Sequence, residues 1–139
     1  MTSERPGDLI ERTRQMYQTV LGASPELTDD FSAAFAALVD GSADIVVEIP
    51  WDERWGEEML DRHQVVLHGL SDDQTRLTFY NPAAPHGLEA GTEIGGRPGE
   101  GPPRRVEAEG MQSMELSLMA RWFAEGKAQA LIPPAGMFE

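Results

Sequence analysis

Apolar residues recur along this chain with two different periods. Over residues 8–21, Leu9, Thr13, Met16, Tyr17, Val20 and Leu21 fall on one stripe, with Glu11, Arg12, Arg14 and Gln18 opposite. That spacing predicts an amphipathic helix stopped by Gly22. A second helix is expected to start at Thr28, an N-cap residue, with Asp29 and Asp30 in a first turn whose dipole favours carboxylates. Phe31, Phe35, Leu38 and Val39 form its buried face, and Gly41 ends it.

The period then falls to two. Residues 43–49 (ADIVVEI) are rich in β-branched side chains and bounded by Gly41-Ser42 and Pro50, which predicts a strand. Residues 51–60 (WDERWGEEML) form an acidic connection containing two tryptophans. Residues 62–69 and 75–82 are strand-like runs joined by Leu70-Ser71-Asp72-Asp73-Gln74, whose Ser and Asp residues favour a hairpin turn. Alternation puts His63, Val65 and Leu67 on one face and Gln64, Val66 and His68 on the other. Leu77, Phe79 and Asn81 share a face of the partner strand, and the short loop sets His63 almost opposite Asn81.

Residues 83–110 hold seven glycines and four prolines and are expected to form a long, flexible loop. Ser113 is expected to cap a third helix running to Glu125, with Met114, Leu118, Met119, Trp122 and Phe123 apolar and Gly126 as its stop. Residues 128–132 (AQALI) read as a short last strand. The order predicts one α+β domain spanning residues 1–139, a small, mainly antiparallel sheet packed against two or three helices.

Charge and composition narrow the function. A formal net charge of −13 opposes binding to nucleic acid phosphates and to anionic membrane surfaces, and favours a basic protein or peptide. The polar first residues lack an apolar signal core and no apolar stretch is long enough for a membrane span, so a cytoplasmic location is expected. The 139 residues include no cysteine, which removes disulfides, thiolate metal sites and thiol nucleophiles together. No HExxH or EF-hand spacing occurs, and the glycine run of residues 95–101 lacks the Gly-Lys-Ser/Thr ending of a phosphate loop, so neither metal nor cofactor is expected.

The stretch HQVVLHGLSDDQTRLTFYNP carries the chemistry. With His63, Val65, Val66 and Gly69 in the first strand and Asn81-Pro82 ending the second, it resembles the second half of the papain-like cysteine peptidases, in particular the bacterial branch that trims double-glycine leaders. Leu38, Gly41 and residues 43–49 resemble the helix and strand that precede that family's histidine. The resemblance spans residues 31–82 and implies a papain-like half-fold, with His63 as a base and Asn81 as the group orienting it. A catalytic imidazole needs such a partner to fix its tautomer. The family's cysteine, activated at a helix N-terminus, has no counterpart here, and Ser24, before Pro25 and near the second helix, is the one hydroxyl in a comparable place.

The resemblance without the thiol implies a pseudo-peptidase, His63 and Asn81 being vestigial, that binds a protein or peptide in a retained groove. Trp51, Asp52, Glu53, Trp55, Glu57 and Glu58 are the candidate binding residues, as an aromatic and acidic rim. Two other classes fit the same residues. A small acidic protein suits an immunity protein or secretion chaperone that neutralises a basic toxin or effector. A hydrolase subunit could supply His63 and Asn81 to a nucleophile from elsewhere.

Overall fold

The computed structural model describes residues 8–22, 25–40, 44–52, 61–81, 87–96 and 101–132. Helix α1 spans Asp8–Leu21 and is followed by strand β1, Glu26–Thr28. Helix α2 is Phe31–Asp40, and strands β2, Ile45–Asp52, β3, Asp61–Leu70, and β4, Arg76–Tyr80, come next. Strands β5, Glu93–Ile94, β6, Arg104–Ala108, and β7, Met111–Glu115, lead into helix α3, Leu116–Ala124, and strand β8, Gln129–Ile132. The eight strands form one sheet in the order β1-β8-β2-β3-β4-β7-β6-β5, every neighbouring pair antiparallel. The class is α+β, as the alternation of the two periods implies, with a sheet wider than the sequence predicts.

Helices α2 and α3 cover one face. There Ile45, Val47, Ile49, Val65, Leu67, Leu77, Phe79 and Met114 meet Ala34, Leu38, Met119, Trp122 and Phe123 in the main core. Phe31 of α2 and Phe123 of α3 touch ring to ring, with centroids 5.6 Å apart. Each large apolar side chain buried here contributes about 1.5–3 kcal/mol. Helix α1 packs on β2, β3 and β8, where Thr13 Oγ1 donates to Gln64 Oε1 at 2.7 Å. Gln64 points away from the main core, so α1 lies on the opposite face.

Several local expectations are corrected. In α1 the stripe is rotated: Ile10 is fully buried, whereas Met16 and Val20 are 56% and 72% exposed. Thr28 ends β1 instead of capping α2, and its hydroxyl accepts from Asp30 N at 3.0 Å. Asp30 is the cap, its carboxylate accepting from Ser32 N at 3.0 Å. The third helix starts at Leu116, not at Ser113. Ser113 is a fully buried β7 residue whose hydroxyl donates to Glu107 Oε1 at 2.7 Å and accepts from Arg76 Nε at 2.9 Å. Residues 83–110, expected as a loop, contain β5 and β6 among their described members, and β6 pairs with β7.

The β3–β4 hairpin forms where the pattern predicts it, closed by residues 71–75. Ser71 N donates to Arg76 O, and Gln74 N to Ser71 O, both at 2.9 Å, while Gln74 takes a left-handed φ of 61°. The Asp73 carboxylate accepts from Thr75 Oγ1 at 2.7 Å, Ser71 Oγ at 2.8 Å and Thr75 N at 3.1 Å. Those donors, Thr75 first, pull its pKa down from 3.8 to about 2. Beyond the turn, a bulge between Leu67 and Gly69 shifts the register, so that Val66 pairs with Tyr80 and Asn81 continues level with Val65. His63 is therefore diagonal to Asn81, two residues further along the same face, and not directly opposite it.

Candidate functional site

Four strands and the residue that follows β4 each send one side chain to the same place. Ile49 of β2 pairs with His63 of β3, so both face the main core, and Trp51, two residues after Ile49, follows on that face. Asn81 follows Phe79 by two, Gln112 of β7 pairs with Phe79, and Val106 of β6 pairs with Gln112. Arg104, two residues before Val106, completes the set. Asn81, Gln112 and Arg104 are buried, while Trp51 and His63 are half-buried.

These side chains close a ring of contacts. His63 Nε2–H donates to Asn81 Oδ1 at 2.9 Å. Asn81 Nδ2 donates to Gln112 Oε1 at 3.2 Å, and the same oxygen accepts from Arg104 Nε at 2.9 Å. The Arg104 guanidinium carbon sits 4.4 Å from the centroid of the Trp51 indole, and that indole lies 4.5 Å from the His63 ring at an interplanar angle of 53°. In a flat sheet β2 and β6, four positions apart, would be separated by roughly 19 Å. Closing the ring therefore takes two long side chains and a sheet that bends towards this face. Bulges in the β2–β3, β3–β4 and β6–β7 ladders supply such bending.

Glycines seal the Arg104 side. Arg104 Nη1 donates to Pro102 O at 2.8 Å. Gly101 has φ +81°, and a Cβ there would lie 2.7 Å from both Trp51 Cε2 and Arg104 Nη1. Gly95, at φ +78°, would likewise place a Cβ 2.7 Å from Arg104 Nη1. Glycine at positions 95 and 101 lets backbone press onto a tryptophan and an arginine. Arg104 also borders a groove of about 650 Å³ between α3 and the β5–β6 end of the sheet, where Arg76, Arg121, Ile94 and Leu118 contribute to the walls.

Of the residues singled out in the sequence, His63 and Asn81 meet, and Trp51 stands against the histidine ring. Asp52 is the last residue of β2 and pairs with Asp61. Glu53, Trp55, Glu57 and Glu58 lie outside the described residues, as do Ser24 and His86. His68 is exposed on the opposite face, where its Nδ1 donates to Asp44 Oδ1 at 3.1 Å, and it takes no part in the ring. Among the described residues no cluster of three or more His, Asp or Glu side chains could hold a metal ion.

Gln112 and Arg104 were not legible as site residues. Both are polar residues at inward positions of strands that the pattern did not predict. One signal was present: Glu109-Gly110 separates RRVEA from MQSME, and Gly110 takes φ +76° in the turn joining β6 to β7. Comparison of the chain with protein-family models, with curated proteins and with solved structures finds no match.

Proposed function

We propose that this protein is a non-catalytic, papain-like domain, a pseudo-peptidase, that binds a protein or peptide partner. The observation that carries the reading is the 2.9 Å contact between His63 Nε2 and Asn81 Oδ1 in a chain without cysteine. The contact leaves Nδ1 of the imidazole for a second group, as a base–orienter pair requires. No thiolate can be generated beside it, and a serine at neutral pH is a far weaker nucleophile. Trp51 against the histidine, and the groove of about 650 Å³ bordered by Arg104, offer aromatic and hydrogen-bonding surface for an extended chain. Among the described residues no helix is long and apolar enough to cross a membrane. A cytoplasmic setting belongs to the same proposal.

The test is selection from a displayed library of random peptides, followed by titration of the enriched sequences against the native protein and the Trp51→Ala and His63→Ala variants. The reading expects enriched peptides whose affinity falls about tenfold or more with either variant, the loss typical of a binding hot spot. It also expects no cleavage of those peptides. No enrichment, or binding indifferent to both variants, overturns it.

The net charge of −13 favours one other reading, a small acidic immunity protein or secretion chaperone. Reversing several charges between Asp52 and Asp61 would abolish binding to a basic toxin or effector in that case and leave a His63-dependent peptide bound. A hydrolase subunit that borrows a nucleophile would instead reveal itself by labelling with an electrophilic serine probe that is lost in His63→Ala.

A further inference from the structure

The ring of contacts has a direction, and one residue sets it. Asparagine and glutamine amides each offer a carbonyl oxygen and an NH₂ group, so either can turn around in a pocket of the same shape. A neutral imidazole is similarly ambiguous, because either nitrogen can carry the proton. An arginine has no such freedom, since every guanidinium nitrogen donates. Arg104 Nε points at Gln112, so Gln112 must present its oxygen there, and at 2.9 Å it does. That oxygen then accepts Asn81 Nδ2 at 3.2 Å, which turns Asn81 Oδ1 towards His63. With an oxygen in front of it, His63 Nε2 must hold the proton, and Nδ1 carries the lone pair of the neutral ring.

We infer that Arg104 is the positioning residue of the His63 site: acting through Gln112 and Asn81, it fixes the tautomer of an imidazole three residues away along the chain of hydrogen bonds. Its own placement is over-determined. The guanidinium is stacked on Trp51 and held by Pro102 O, and glycines at 95 and 101 leave room for nothing larger behind it. Arg104 and Gln112 are both buried, so water competes little for these hydrogen bonds. The partner group that the neutral ring accepts at Nδ1 is consequently a hydrogen-bond donor, such as an amide N–H or an ammonium. This specifies the chemistry of the site in the proposed binding reading and rests on that reading for its biological use. A carboxylate of the partner would meet the lone pair of the neutral ring at that nitrogen and could pair only with the protonated imidazolium.

The measurement is a long-range ¹H–¹⁵N correlation spectrum of the labelled protein at alkaline pH, with the His63 signals assigned by their loss in His63→Gln. The native protein is expected to show one neutral tautomer, protonated at Nε2. Arg104→Met frees Gln112 to turn, and the minor tautomer is expected to rise about fivefold, the scale of one net hydrogen bond. Gln112→Glu presents oxygen in either orientation, so Arg104→Met combined with Gln112→Glu is expected to restore the single tautomer. Loss of packing alone would produce no such rescue. Protonation at Nδ1 in the native protein overturns the inference even if Arg104→Met does not fold. An unchanged tautomer ratio in folded Arg104→Met, or failure of Gln112→Glu to restore it, overturns it as well. The spectra need no partner, so failure to find one in the peptide selection leaves this result standing, and the converse holds.

Discussion

Two glutamines, one on each face of the sheet, show how differently a buried amide can be treated. Gln112 on the α2–α3 face accepts two hydrogen bonds, from Arg104 and from Asn81, and anchors a closed network. Gln129 pairs across the ladder with Glu48, on the face covered by α1, and its buried Oε1 finds no partner among the described residues. An amide that has surrendered its water must regain hydrogen bonds to break even. Gln112 regains them and Gln129 does so only in part. The matched oxygen of Gln112 marks the end of the sheet with the candidate site. The unmatched oxygen of Gln129 lies under α1, away from it, and among the described residues Trp122 Nε1 of α3 is the other buried atom without a partner.

The widest consequence of this contrast is expected at Gly101, whose backbone holds Arg104 and Trp51 in place. Gly101→Ala forces a side chain into a left-handed conformation and against the Trp51 indole and the Arg104 guanidinium, and should lower stability by about 3 kcal/mol. Urea unfolding followed by tryptophan fluorescence would measure it. A loss below about 0.5 kcal/mol, within the range of ordinary surface changes, would mean that the close approach is not needed. Gln112→Met keeps the length of the side chain and removes its oxygen, stranding an arginine and an asparagine, and should cost about 2 kcal/mol. The same exchange at Gln129 should have the opposite sign. Gln129→Met removes an unmatched oxygen and is expected to raise stability by up to about 1 kcal/mol in the same assay. Equal signs at the two positions would erase the comparison.

The smallest effect is expected at the exposed hairpin turn, where matched polarity meets water. Asp73 has its pKa lowered to about 2 by the donors around it, so its contribution is present above about pH 4 and fades as pH falls through 2. The melting temperature of Asp73→Asn should therefore lie slightly below that of the native protein at neutral pH, with the gap narrowing as pH falls through 2 and closing near pH 1. A gap that persists undiminished at pH 1 would assign the turn's stability to something other than ionisation.

Sequence legibility followed the same division. Where inside was apolar and outside polar, as in α1, β2 and the β3–β4 hairpin, the elements could be located to within a few residues. Even there the α1 stripe was rotated, because Met16 and Val20 look like core residues and are exposed. Strands β6 and β7 were missed because they invert the rule. Arg104, Gln112 and Ser113 are buried, and glycines and prolines flank them. His63 and Asn81 were found through a motif, while the residues that orient them were polar side chains in unpredicted strands. Their register follows from the pairing of β7 with β4, which is non-local in sequence.

The strand order also constrains how the protein is made. β8 lies between β1 and β2, with Thr28 against Ala130 on one side and Val46 against Leu131 on the other. While a ribosome is still short of residues 129–132, β1 has no neighbour and the Ile45–Ile49 run of β2 is an open, apolar edge. Unpaired edges of that kind recruit other chains. Folding of this sheet therefore waits for an insertion that closes a seam, and a nascent chain stalled before it would present its stickiest strand to the cell.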